Sequence, residues 1–153
     1  MKILRIRMEN FGPYIDEFID FTELNEQRLF LLEGKTGSGK STIIDGVVFA
    51  LYGQDSKGRD EDVRRNSAPS DRNAVVTLEF EVNDIRYRIV RSPLWQKEGV
   101  KSKVSAKMSL VEIDDDGNPI AGRSWDAKKE VAPKIISLLK LTRDQFTLSL
   151  IHI

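Results

Sequence analysis

No segment of this chain restricts its fold more than Gly34-Lys35-Thr36-Gly37-Ser38-Gly39-Lys40-Ser41. It fits G-x-x-x-x-G-K-[ST], a loop whose glycines let successive backbone N–H groups turn inward as an anion nest. Leu29-Phe30-Leu31-Leu32, just before it, is a continuous apolar run, as expected of a strand buried on both faces. Thr42 to Tyr52, just after it, is apolar nearly throughout and stops at Gly53, which predicts a helix buried nearly all round. That order aims the positive end of a helix, about half a unit charge, at the nest. The bare pattern arises by chance in on the order of one chain in 200 of this length. The strand–loop–helix context is therefore what turns the pattern into a nucleotide site.

The expected cofactors are ATP and Mg²⁺. Gly34, Lys35, Thr36, Gly37, Ser38 and Gly39 form the loop, and Lys40 adds a mobile full charge for the β- and γ-phosphates. The Ser41 hydroxyl is the Mg²⁺ ligand, and Thr42 completes the nucleotide-contacting set. No catalytic residue is assigned. The loop and Lys40 supply charge, but nothing in the sequence positions an attacking water.

The remaining chain divides by pattern. Leu4, Ile6 and Met8 alternate with Arg5 and Arg7, which predicts a half-buried strand, and Phe11-Gly12-Pro13-Tyr14 predicts a turn. Phe18 to Phe21 predicts a short second strand. Gln54 to Asn73 is a long polar loop with one helical turn near Glu61–Arg65. Val76, Leu78, Phe80 and Val82 alternate up to Asn83-Asp84, and Ile85, Tyr87 and Ile89 resume the alternation, which predicts a hairpin. Val104, Ala106, Met108 and Leu110 predict another strand, and Asp114 to Pro119 a solvated turn. Val131, Ile135, Leu138 and Leu139 recur at helical spacing, in a helix expected to start close to Pro133. Thr142-Arg143-Asp144-Gln145 has capping-box spacing and opens a last helix.

Composition mainly excludes. There is no cysteine, so disulfides and thiolate metal sites are ruled out. The 24 basic residues balance the 24 acidic ones, so net charge says nothing about partners. The N-terminus lacks the apolar stretch of a signal peptide, and no apolar run approaches the roughly 20 residues that cross a membrane. A soluble, cytoplasmic, nucleoid-associated protein with no membrane partner is expected.

The neighbouring residues carry a family resemblance. Lys2-Ile3-Leu4-Arg5 with Asn10-Phe11-Gly12-Pro13-Tyr14 resembles the start of SbcC proteins, as do Ile19-Asp20-Phe21 and Leu29-Phe30-Leu31-Leu32. Thr42-Ile43-Ile44-Asp45-Gly46-Val47-Val48-Phe49-Ala50-Leu51-Tyr52-Gly53 is similar to the family's T-I-L-D-A-I-x-F-A-L-Y-G. Arg86-Tyr87-Arg88-Ile89-Val90-Arg91-Ser92 and Leu141-Thr142-Arg143-Asp144-Gln145-Phe146 match in type and order. This favours SbcC over the related SMC, RecF and RecN ATPases.

The resemblance implies an α/β fold: a P-loop NTPase of the ABC-type, SMC-like ATPase head, with residues 1–147 as its N-terminal lobe and a mixed sheet around the P-loop helix. It implies a large ATPase with a long coiled coil, whose two heads pair as a homodimer around ATP. The partners it implies are an SbcD-like nuclease and DNA ends or hairpins. The family's glutamine loop follows the D-Q-F segment, so Gln145 is not that glutamine, and the Walker B acid and signature motif lie beyond these residues. Leu148-Ser149-Leu150-Ile151-His152-Ile153 reads as what CTG TCT CTT ATA CAC ATC encodes, the end sequence of transposon-based sequencing adapters. A non-native tail is therefore expected from Leu148, with no role for His152; a natural divergent tail is the alternative.

Basic residues cluster between Ile85 and Lys107. Arg86, Arg88, Lys97, Lys101 and Lys103 are the candidate DNA contacts, with Trp95 as a stacking anchor, against a solvated hairpin face as the alternative. Arg91 and Lys107 belong to the same stretch. Arg5, Arg7 and Asn10 are candidates for a base or phosphate contact or a plain strand face, and Arg64 and Arg65 for a solvated loop. A stand-alone GTPase or small kinase is the competing enzyme reading, although no N-K-x-D guanine-reading motif is present. A non-catalytic nucleotide-binding module is the other.

Lys40→Ala is expected to abolish binding of labelled ATP by the assembled protein, because charge-assisted hydrogen bonds are about twice as strong as neutral ones. Ser41→Ala should instead weaken the Mg²⁺ dependence of binding. Unchanged ATP affinity in Lys40→Ala would remove the loop from consideration.

Overall fold

In the computed structural model, residues 1–23 and 40–151 are described. The elements in chain order are β1 (Lys2–Phe11), β2 (Tyr14–Asp20), α1 (Lys40–Tyr52), β3 (Val75–Val82), β4 (Ile85–Ser92), β5 (Lys107–Ile113), β6 (Pro119–Trp125), α2 (Lys128–Leu139) and α3 (Arg143–Ile151). The strands form one six-stranded sheet in the order β2-β1-β3-β4-β5-β6. Every pairing among the described residues is antiparallel. A mixed sheet was expected from the Leu29–Leu32 strand, and that segment lies outside the described residues.

Alternation decides which way the sheet faces. Ile6 pairs with Leu78, Leu78 with Ile89, and Ile89 with Leu110, so one row of fully buried side chains crosses four strands. The intervening residues Arg5, Glu79 and Arg88 form the matching row on the opposite, open face. The β3–β4 turn places Asn83 and Asp84 at φ 51° and 64°, the left-handed pair that a two-residue hairpin requires.

α1 covers the apolar face. Asp45 to Leu51 are all buried, as the apolar run predicted. A Cβ on Gly46 would lie 2.6 Å from Met8 Sδ and 3.2 Å from Ile6 Cδ1, so the helix backbone rests on the inward side chains of β1. The helix crosses the strands. Its first turn meets the β1–β2 turn, where a Cβ on Gly12 would be 2.8 Å from Thr42 Cγ2. Its last turn meets β4, where Arg91 Nε donates to the Ala50 carbonyl at 2.9 Å. It ends at Gly53, φ 82°, whose N–H returns to the Phe49 carbonyl at 2.8 Å.

Four features depart from expectation. β2 begins at Tyr14, not Phe18, because its pairing with β1 runs back to the turn, with Phe11 opposite Tyr14. α2 begins at Lys128, with Pro133 inside it rather than at its start. Val131 and Ile135 are both fully buried, and only a helix begun before the proline holds them on one face. The proline lies inside the helix, past its first turn, and removes one intrahelical hydrogen bond there. β5 begins at Lys107, because Val104 instead makes an isolated bridge with Trp95. β6 was not anticipated. It is an edge strand, exposed along nearly its whole length and carrying Pro119 and a left-handed Gly122, so it has no apolar alternation to detect.

α3 starts as predicted. The Gln145 N–H donates to Thr142 Oγ1 at 3.3 Å, and the Thr142 N–H donates to Gln145 Oε1 at 2.9 Å, a reciprocal capping box. Tyr52 on α1 packs its ring, tilted by 53°, against Phe146 at 5.7 Å and donates its hydroxyl to the Leu141 carbonyl at 2.8 Å. Burial pushes the Tyr52 phenol up to about 12. Leu148 to Ile151 continue this helix, and His152 and Ile153 lie outside the described residues.

Candidate functional site

Gly34, Lys35, Thr36, Gly37, Ser38 and Gly39 lie outside the described residues, and α1 takes up the chain at Lys40. Lys40 and Ser41 are therefore the first two residues of a 13-residue helix with no acidic side chain in its first turn. Among the described residues no carboxylate in that first turn offsets the positive end of the helix dipole. Ser41 is exposed at that end and Thr42 is half-buried against the Gly12 turn. A phosphate–Mg²⁺ group fits this set: the exposed Ser41 hydroxyl, a lysine at the first helical position, and no competing carboxylate in the first turn. Among the described residues no group of three histidine, cysteine or carboxylate side chains could hold a metal ion.

The loop from Gln54 to Asn73 closes around the same end of α1. The Gly12 N–H donates to the Val63 carbonyl at 2.8 Å, and the Arg65 N–H donates to the Asn10 carbonyl at 2.7 Å. A 3-10 turn at Glu61–Val63 makes this contact, near where a helical turn was expected. Arg64 donates to the carbonyls of Arg72 at 2.9 Å and Pro69 at 2.7 Å, and lies 5.1 Å over the Trp95 ring. It is a clamp on its own loop, and Trp95 is half-buried beneath it. Arg65 Nη1 donates to Ser67 Oγ at 2.6 Å.

Arg5 and Arg7 lie on the face away from α1. Arg5 Nη1 is 3.0 Å from Glu79 Oε2, and Arg7 Nη2 is 2.8 Å from Asp16 Oδ2. The Glu79 hydrogen bond raises the Arg5 pKa, and the Arg7 hydrogen bond holds the Asp16 carboxyl below its usual range. Of the three residues considered at the first strand, Asn10 alone approaches the α1 end.

The candidate DNA contacts divide into two groups. Arg86 and Arg88 lie on the open face near the start of β4, paired with Glu81 at 3.5 Å and Glu79 at 2.9 Å. Lys97, Lys101 and Lys103 follow the other end of β4, about 20 Å away at strand rise. That is the end beside Gly12, since Lys103 pairs with Glu61 at 3.2 Å. Arg91 is not a surface cation. It occupies the inward parity with Tyr87 and Ile89, and caps α1 through the Ala50 carbonyl and, at 3.3 Å, that of Leu51. Burial lowers its pKa to about 10, so it stays charged at neutral pH against the negative end of the helix.

One polar cluster had not been anticipated. Asp45, buried within α1, accepts from Ser56 Oγ and, at 3.2 Å, from the Ser56 N–H, and lies 3.6 Å from Arg59 Nη2. Asp55, fully buried, accepts from Arg59 Nε at 2.6 Å and from the N–H groups of Lys57 and Arg59 at 2.9 Å. Arg143 on α3 donates to the Asp55 carbonyl at 3.1 Å. The signal was an aspartate inside an otherwise apolar helix, since a buried charge needs a partner.

The match to known proteins agrees with this geometry. The model of the AAA domain family matches residues 5–152. The chain is 45% identical over 148 residues to the SbcC subunit of the nuclease SbcCD from Staphylococcus epidermidis strain RP62A, covering 95% of this chain and 14% of that protein. It is 40% identical over 118 residues to the same-named protein of Staphylococcus haemolyticus, covering 76% of this chain and 12% of that protein. For the same-named protein of Staphylococcus aureus MRSA252 the identity is 36%, covering 95% and 14%. The chain thus spans 12–14% of the length of these curated relatives.

Gly12→Ala is expected to weaken labelled-ATP binding several-fold, by pushing the β1–β2 turn off Thr42. Gly122→Ala is the control, since that residue is also left-handed, at φ 77°, but a Cβ there meets nothing within 4 Å. Equal losses in the two variants would reduce the effect to backbone strain, about 1–2 kcal/mol at either site.

Proposed function

The chain belongs to the AAA domain family, and on that premise we propose that it is the N-terminal ATP-binding lobe of an SbcC-type ATPase, with a P-loop at Gly34–Ser41. The observation that carries this reading is a G-x-x-x-x-G-K-S sequence running into a buried helix at Lys40, in a chain 45% identical over 95% of its length to the SbcC subunit of a nuclease SbcCD. The loop N–H groups, Lys40 and the α1 dipole hold the triphosphate, and Ser41 ligates Mg²⁺. The metal would be held through the Ser41 hydroxyl and would supply neutralisation of the phosphate charge. α1 is held rigidly from β1 to β4, so its N-terminus is a pre-organised electrostatic contact.

The wider assignment follows the relatives. An ABC-type, SMC-like head, a second head as homodimer partner, an SbcD-like nuclease and DNA-end or hairpin processing are proposed for the whole protein. So is a cytoplasmic, nucleoid-associated location, and no described helix is long and apolar enough to cross a membrane. Arg86, Arg88, Lys97, Lys101 and Lys103 are the proposed DNA contacts. Residues 1–147 are proposed as the native lobe, with Leu148 onward as a foreign tail.

Phosphate release by residues 1–147 alone is expected to be negligible, because neither a water-positioning residue nor a second metal-supporting acid is assigned among them. Adding the remainder of the head in trans should restore turnover, and DNA should raise it. Turnover near about 1 s⁻¹ by the fragment alone would make it a complete enzyme of another kind.

A further inference from the structure

The open face of the sheet is a lattice of ion pairs. Glu79 sits between Arg5 at 3.0 Å and Arg88 at 2.9 Å, and Glu81 between Lys2 at 3.6 Å and Arg86 at 3.5 Å. A cavity of about 310 Å³ opens here, lined by Arg5, Glu79, Arg86, Arg88 and the β5–β6 turn Asp114–Gly117.

That turn is built to stand by itself. Asp114 Oδ1 accepts from the N–H groups of Asp116 and Asn118, both at 2.9 Å, and Gly117 takes the left-handed φ of 84°. Asp114 is therefore committed to the turn, whereas the carboxylates of Asp115 and Asp116 contribute no hydrogen bond to it among the described residues. The turn nevertheless reaches both arginines. The Gly117 carbonyl accepts from Arg88 Nη2 at 2.8 Å. The Asp115 carbonyl accepts from Arg86 Nη1 at 3.5 Å, and its carboxylate lies 3.9 Å from Arg86 Nε.

From these contacts we infer that the acidic β5–β6 turn is a built-in competitor for phosphate at Arg86 and Arg88. The inference rests on the proposal that these two arginines contact DNA. A backbone phosphate needs the same guanidinium N–H groups that the turn now engages. It must also approach the carboxylates of Asp115 and Asp116, which repel it. The Arg88–Gly117 contact is to backbone and survives side-chain substitution, so charge and geometry can be separated. The competition lowers DNA affinity at this face and leaves contacts at the Lys97–Lys103 end of β4 untouched.

The test measures binding of labelled duplex DNA by the whole polypeptide chain. In low salt, Asp115→Asn with Asp116→Asn should bind roughly two- to tenfold more tightly. The gain should vanish in high salt, and it should be absent when Arg86→Gln and Arg88→Gln are also present. If Arg86→Gln with Arg88→Gln leaves DNA affinity unchanged, these arginines are not DNA contacts, and the competition falls with that reading. If that pair weakens binding while the two asparagines change nothing, or give the same gain on the glutamine background, the contacts stand and the competition is overturned.

Discussion

A helix backbone pressed at a glycine onto the side chains of a β-strand is the contact on which the rest of this structure depends. At Gly46 the fully buried Met8 and Ile6 fill the space a Cβ would take. Close approach lets the residues flanking Gly46 pack on both sides of the contact, so that α1 is buried from Asp45 to Leu51. Burial on that scale, at about 25 cal/mol per Å² of apolar surface, fixes the helix against the sheet. Its N-terminus is thereby fixed too, and that is where the proposed phosphate-binding loop joins.

A helix buried so deeply leaves its polar ends and its one internal charge to be satisfied locally. Arg91 reaches from β4 to the last carbonyls of α1, supplying a full positive charge at the negative end of the dipole. Asp45 is satisfied by Ser56 and Arg59, and Arg59 in turn engages the buried Asp55. Arg143 and Tyr52 tie the same region to the start of α3. α1, the long loop after it and the last helix are therefore joined by directed bonds as well as by apolar contact.

Much of this was legible from residue patterns. The alternations in β1, β3 and β4, the Asn83-Asp84 turn and the Thr142–Gln145 capping box all rest on local rules that tertiary contacts did not override. What escaped detection was tertiary in origin. Pro133 lies within α2 because the burial of Val131 outweighs one lost hydrogen bond. β6 has almost no buried side chain, so there was no pattern to find. Arg91 was grouped with the surface cations by composition, although its parity with Tyr87 and Ile89 points inward. The basic stretch likewise looked continuous in sequence, whereas β4 carries its two ends to opposite ends of the sheet. At the site itself, the apolar helix through Tyr52 agrees with expectation and starts two residues earlier, at Lys40, and Leu29 to Gly39 lie outside the described residues.

The central claim is that nucleotide binds at the N-terminal end of α1, on the loop that leads into it. Amide hydrogen exchange of the whole chain with and without ATP–Mg²⁺ tests this most directly. The account predicts protection concentrated in residues 34–42, with weaker effects at Gly12 and Val63, which pack against that end. Unchanged exchange at residues 34–42, with protection appearing instead on the open face around Arg86 and Arg88, would contradict it.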